Sequence, residues 1–213
     1  MAVSYKTKNP KVLPTRKLPT FTKVLPYILI IGSIIGFICS AVLTYDSNKV
    51  AVNYSYLPSC NLNPIIACGP EIKSLQGSVF HVPNPYIGLV AYTMVLTTGI
   101  TLVAGAKFKR WFWLALEGGT VLGLVFVHWF FFEAVYRIHA LCPYCMGTWV
   151  VTIIIFWYLT LYNIQHGHII VPKKIKPFTN FLTRHHIDVL ALWFLIIIGL
   201  ILKHFWYYYG HHF

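Results

Sequence analysis

The sequence predicts an all-α membrane protein with five transmembrane helices, and three observations predict it. Of 213 residues, 57% are hydrophobic and only 10% charged, with a mean hydropathy of +0.66, which is too apolar for a soluble globule. Apolar runs of about 20 residues, the length one helical span requires, recur at 24–45, 85–106, 111–136, 142–162 and 187–207. The basic residues, finally, fall on alternate connections. Lys6, Lys8, Lys11, Arg16, Lys17 and Lys23 precede the first run, Lys107, Lys109 and Arg110 follow the second, and Lys173, Lys174, Lys176 and Arg184 follow the fourth. Only Lys49, Lys73, Arg137 and Lys203 remain for the other side. The positive-inside rule then puts the N-terminus in the cytoplasm and the C-terminus outside. The net charge of +12 is thereby read as a membrane address, with no nucleic-acid partner.

Residues 1–23, rich in Lys, Thr and Pro, have too little apolar content to pack and are expected to form a disordered cytoplasmic tail. The first apolar run is too long for a signal-peptide core and lacks a small-x-small cleavage site, so it reads as a true span. Gly32, Ser33, Gly36 and Ser40 recur on it at helical spacing and would let a neighbouring helix approach closely. Cys39 reads as a small packing residue. Residues 46–84 form the one long extracytoplasmic connection, and it holds Cys60 and Cys68. Asn63-Pro64 and Gly69-Pro70 mark turns there. From these residues alone, a structural staple and a redox pair are equally good readings.

Asn84 follows a Pro-flanked break before the second span, where an Asn is more often a helix cap than a ligand contact. Residues 107–110 suffice only for a tight turn. The third span contains Glu117, His128 and Glu133, for which local packing and hydrogen bonding are the expected roles. The fourth connection, 166–186, reads as a cytoplasmic loop. Its His166, His168, His185 and His186 lie across the membrane from the paired cysteines and cannot share a zinc ion with them. Residues 187–213 form the fifth span, ending in an aromatic belt, Trp206-Tyr-Tyr-Tyr, and a short outer tail.

Cys142-Pro-Tyr-Cys145 opens the fourth run, two thiols one helical turn apart. Free backbone N–H groups at a helix start favour a thiolate, and proline suits the first helical position. The same spacing serves zinc, given two further ligands. Two cysteine pairs on one side of a membrane suggest a relay that passes a disulfide by thiol exchange. A soluble dithiol protein would supply electrons, and a lipid-soluble quinone would take them.

In these motifs the chain resembles the vitamin K epoxide reductase family, including its bacterial disulfide-forming members. The matching pieces are Cys60 and Cys68, the following Lys73-Ser74, Asn84-Pro-Tyr-Ile-Gly88 leading into the second span, and Cys142-Pro-Tyr-Cys145. The resemblance covers residues 24–165 and implies a four-helix bundle core around a quinone pocket, with the fifth helix peripheral. It implies that Cys145 reacts with the quinone, that Cys142 exchanges with Cys68, and that Cys60 faces an external protein. Asn84 would hydrogen-bond a quinone oxygen, and Ser74 would lie near the ring. Trp149 stands where the mammalian pattern has tyrosine, and an indole donates only through its N–H.

Many bacterial relatives carry a fused thioredoxin domain after the fifth span, whereas this chain stops at Phe213. A separate DsbA-like, thioredoxin-fold partner outside the membrane is therefore expected. The electron acceptor would be ubiquinone or menaquinone, without a metal, and the setting a bacterial cytoplasmic membrane with the active site at its outer face. Two alternatives stand beside this expectation. One is a vitamin K epoxide or quinone reductase. The other is a non-catalytic membrane protein whose Cys-x-x-Cys is structural or binds zinc.

Overall fold

The computed structural model describes residues 21–79, 81–172 and 174–209; the expected tail lies outside these except for its last three residues. Among the described residues, five helices are long and apolar enough to cross a membrane. They are α1 (Phe21–Val52), α3 (Asn84–Val103), α4 (Arg110–Glu133, continued by a π-helical turn at Ala134–Ile138), α5 (Pro143–Gln165) and α7 (His186–Tyr209). Two short helices stand between them, α2 (Gly69–Lys73) and α6 (Lys176–Arg184), with a two-residue antiparallel hairpin of β1 (Ser78–Val79) and β2 (Val82–Pro83). The protein is an all-α, multi-pass membrane protein.

The 32 residues of α1 reach about 48 Å at 1.5 Å per residue, well beyond a hydrocarbon core of about 30 Å. Its last turns continue past the apolar run because Asp46, Ser47 and Val50 are buried there. α1 packs on α3 and on α5, and α5 packs on α4. Small residues make the close approaches. A Cβ on Gly36 would stand 2.5 Å from the Tyr92 ring of α3, and one on Gly32 would stand 3.1 Å from Ile155 of α5. Cys39 is packed against Gly147 of α5, as a small filler would be. Tyr92 joins α3 to α5 directly, since its hydroxyl hydrogen-bonds Thr152 Oγ1 at 2.8 Å and donates to the Thr148 carbonyl at 3.2 Å. Leu25, Leu29, Val95, Trp113, Ile155 and Leu159 fill the core between these helices.

Glu117, Glu133 and His128 of α4 each find a partner in the fold. Glu117 accepts hydrogen bonds from Thr160 and from Asn163 Nδ2, binding α4 to α5 at the end far from the cysteines. Glu133 pairs with Arg137 at 3.3 Å. His128 donates through Nδ1 to the Leu124 carbonyl and accepts the Trp193 indole N–H of α7 at 3.1 Å, which requires the neutral ring. That bond and the fully buried Phe205, packed among Phe131, Ala134 and Val135, hold α7 against the bundle. Its remaining surface is largely exposed, so the fifth helix is peripheral. The connection read as a loop contains α6, started by Pro177 in its first turn and amphipathic, with Phe178 and Phe181 exposed on it. The loop histidines are structural here: His166 stacks on Tyr162 and His168 on Trp113.

Candidate active site

The long connection between α1 and α3 is pinned at many points. Tyr56 donates to Asp46 at the end of α1 at 3.2 Å, and Lys73 lies over the Tyr54 ring, 4.4 Å from its centre. Asn63 Oδ1 accepts the N–H groups of Ile65 and Ile66, the local turn that Asn before Pro favours. The turned segment then pairs with the chain just ahead of α5. The Leu141 N–H donates to the Ile65 carbonyl at 2.7 Å, and the Ala67 N–H donates to the Leu141 carbonyl at 3.1 Å. The π-helical turn and the left-handed His139 (φ 59°) deliver Leu141 to this bridge. The next residues on the two strands of the bridge are cysteines.

Cys60 and Cys68 are joined as a disulfide, and the Cys142 thiol points at Cys68 Sγ, 2.9 Å away. Cys68 and Cys142 are fully buried, whereas Cys60 retains 6% exposure. Cys142 is the N-cap of α5 with Pro143 in the first helical position, and the Cys145 N–H donates to its sulfur at 3.5 Å. A helix start presenting an N–H to sulfur holds negative charge there as exchange proceeds. Cys145 is a free, partly buried thiol one turn further on.

Glu71, which the sequence reading passed over, completes the cluster. It is 2% exposed, and its Oε1 accepts the Cys142 N–H at 2.9 Å while Oε2 has no hydrogen-bond partner among the described residues. One carboxylate oxygen and the sulfurs of Cys142 and Cys145 lie within 4.8 Å of one another. Burial pushes the carboxyl up to about 7, against the nearby Cys145 thiol and the Cys142 N–H, which favour its ionised form. A signal for it existed, because Glu71 is the one acidic residue between Asp46 and Glu117 and stands three residues after Cys68. These three groups could hold a metal ion with three donors, one short of a closed structural zinc site.

A cavity of about 1120 Å³ adjoins the cluster, lined by α3 and α4 where those helices stand apart. Glu71, Cys142, Cys145 and Asn84 line one end, and Phe108 and Trp111 the other. Along α3 its wall runs from Asn84 to Thr101, about 25 Å at 1.5 Å per residue. It therefore suits an elongated apolar molecule with a polar head at the thiols. Asn84 caps nothing: its Oδ1 accepts the Val79 N–H at 2.9 Å, and its Nδ2 donates to the Gln76 carbonyl at 2.7 Å, leaving one amide hydrogen without a partner among the described residues. Ser74 donates to the Glu71 carbonyl at 2.7 Å and accepts the Gly77 N–H, and it does not line the cavity. Trp149 also lies off the cavity wall, edge-on to Phe131 at 5.4 Å between ring centres. The structure thus brings together the four cysteines and Asn84, and leaves Ser74 and Trp149 one layer behind.

Asn84→Ala is expected to raise the KM for a short-chain quinone about tenfold, since losing a hydrogen bond to a bound oxygen costs about 1.4 kcal/mol at that ratio. Kinetics with the helical circular dichroism as a control measure this, and an unchanged KM removes Asn84 from ligand binding.

Buried, adjacent cysteine pairs at the mouth of an apolar cavity, inside a membrane bundle, define a class: membrane oxidoreductases that work through thiols. The vitamin K epoxide reductase family profile matches residues 27–160, well over half the chain, and the protein belongs to that family. No individual curated protein matches it. The family's chemistry is membrane redox chemistry linking disulfides to quinones, and it covers α1 to α5 here, with α7 outside the match.

Proposed function

We propose that the protein oxidises the dithiol of a separate, DsbA-like thioredoxin-fold protein and passes the electron pair through Cys60–Cys68 and Cys142–Cys145 to ubiquinone or menaquinone. The observation that carries this reading is the 2.9 Å approach of the Cys142 sulfur to the loop disulfide at Cys68, with Cys145 on the cavity wall. A partner thiolate attacks Cys60, releasing Cys68, and the partner's second thiol completes its own disulfide. The freed Cys68 attacks Cys142 of an oxidised helix pair, releasing Cys145, and Cys60 then closes on Cys68. The resulting state has the loop pair oxidised and the helix pair as thiols, which is the state of this structure. Cys142 and Cys145 then yield two electrons and two protons to the acceptor and form their own S–S bond. Asn84 orients the acceptor through its remaining amide hydrogen, and the apolar walls exclude water.

The active site faces outward in this reading, with the N-terminus in the cytoplasm, because the basic connections lie at the opposite end of the bundle. Purified protein should oxidise a reduced thioredoxin-fold protein with ubiquinone or menaquinone, one partner disulfide per quinol. A membrane-impermeant thiol reagent should reach Cys60 in intact cells after reduction and should spare a cysteine introduced at Lys174. Stoichiometric zinc retained by Cys142 and Cys145 without turnover would contradict the proposal, as would labelling of the Lys174 position alone.

A further inference from the structure

We propose that Glu71 is a catalytic proton carrier between the Cys142–Cys145 thiols and the quinone oxygens, a role that rests on the reading above and deepens it. Three facts place it there. One of its carboxylate oxygens lies within 4.8 Å of both sulfurs, and its Oε2 is buried with no hydrogen-bond partner among the described residues. Its Oε1 is held by the Cys142 N–H, so the carboxyl is aimed by the very residue whose thiol must react. And Glu71 is among the residues that line the cavity, together with Cys145 and Asn84.

The chemistry needs such a group. Quinone reduction by a dithiol moves two electrons and two protons, and a positioned side chain beside the thiols is a direct route for each proton. Glu71 carboxylate takes the proton from Cys145 as its sulfur becomes the nucleophile, and the carboxylic acid returns that proton to an oxygen of the acceptor. Cys142 then attacks the Cys145 sulfur, the S–S bond forms as the bond Cys145 has made to a ring carbon of the acceptor breaks and leaves its electron pair on the ring, and the Cys142 proton follows the same path to the second oxygen. Two thiol protons end on the two quinol oxygens, the cysteine pair is oxidised by two electrons, and Glu71 is regenerated. A carboxyl brought by burial to about 7 is suited to both halves of the transfer near neutral pH. The groups facing it are Cys142 and Cys145 from α5, with Cys68 preceding it on the loop; Lys73, two residues on, lies instead over Tyr54.

The test uses full-length protein with the loop pair oxidised and the helix pair reduced, mixed anaerobically with a short-chain ubiquinone analogue across a pH series. Wild type should show a single-turnover rate that rises tenfold per pH unit to an inflection near pH 7 and then levels. Glu71→Gln preserves an oxygen acceptor for the Cys142 N–H, and it should lower the rate at pH 7 about 100-fold and abolish that inflection. Glu71→Asp, which restores a carboxyl, should recover part of the loss. In parallel, iodoacetamide labelling of Cys145, read by peptide mass, should show a step near pH 7 in wild type that is missing in Glu71→Gln. A Gln variant with wild-type rate and pH profile would show that the carboxyl only positions Cys142, and overturn the inference. If wild type reduces no quinone, the relay itself fails, while the labelling step still reports whether Glu71 exchanges protons with Cys145; its absence in wild type would also overturn the inference.

Discussion

Cys145→Ser should stop quinone reduction, with a loss on the order of 10³-fold or more, as for other removed nucleophiles. The reason is electron counting as much as position. With Cys145 gone, the helix pair holds one thiol and cannot release two electrons by closing its own disulfide. Cys142 cannot substitute, because its sulfur is fully buried and directed at Cys68. The loop disulfide remains, so one partner dithiol per chain should still be oxidised before the protein stalls. Stopped-flow quinol formation, beside thiol counting on the partner, measures both. Sustained quinol production by the Cys145→Ser protein would remove Cys145 from the reaction.

Removing the loop cysteines singly should have unequal outcomes. In Cys68→Ala the residual Cys60 thiol attacks the disulfide of an oxidised partner and releases the partner's second thiol, and the mixed disulfide accumulates because Cys68 is no longer there to displace the partner from Cys60. In Cys60→Ala the adduct is absent, because Cys68 has no exposure and stands 2.9 Å from Cys142, with which it should settle in an internal disulfide. A staple disulfide predicts neither, since losing either cysteine would then destabilise the loop to the same degree. A non-reducing gel of each variant expressed with a thioredoxin-fold partner reads the result. Adducts of equal yield in both variants, or in neither, would contradict the order of exchange.

The five spans were legible because hydropathy is a local property, and the bundle ends they connect followed from chain order. The end of α1 was not, since Asp46, Ser47 and Lys49 extinguish the apolar signal while the cysteine connection packs on that turn and keeps it helical. The cysteine pairs were legible from spacing, but the bridge between Ile66 and Leu141 that brings them into contact joins segments 75 residues apart in sequence. The His128–Trp193 bond is equally remote, spanning 65 residues. Trp149 stands four residues after Cys145, on the same helix face by spacing, yet its ring is taken up by Phe131 in the cluster that Phe205 of α7 closes. Side-chain direction of that kind depends on a helix outside the family match. Glu71 was readable as a scarce acid next to a cysteine, and only its burial against Cys142 reveals what it touches.

The central claim is that a disulfide moves between the two pairs and leaves electrons for the cavity. Its most direct test is a redox map of the protein during one turnover. Protein with Cys60–Cys68 oxidised and Cys142 and Cys145 reduced is mixed anaerobically with one equivalent of quinone, acid-quenched, alkylated and digested for mass spectrometry. The account predicts one quinol per chain and a new Cys142–Cys145 disulfide, with Cys60–Cys68 unchanged. Quinol without that disulfide, or no quinol while the helix thiols remain free, would contradict it.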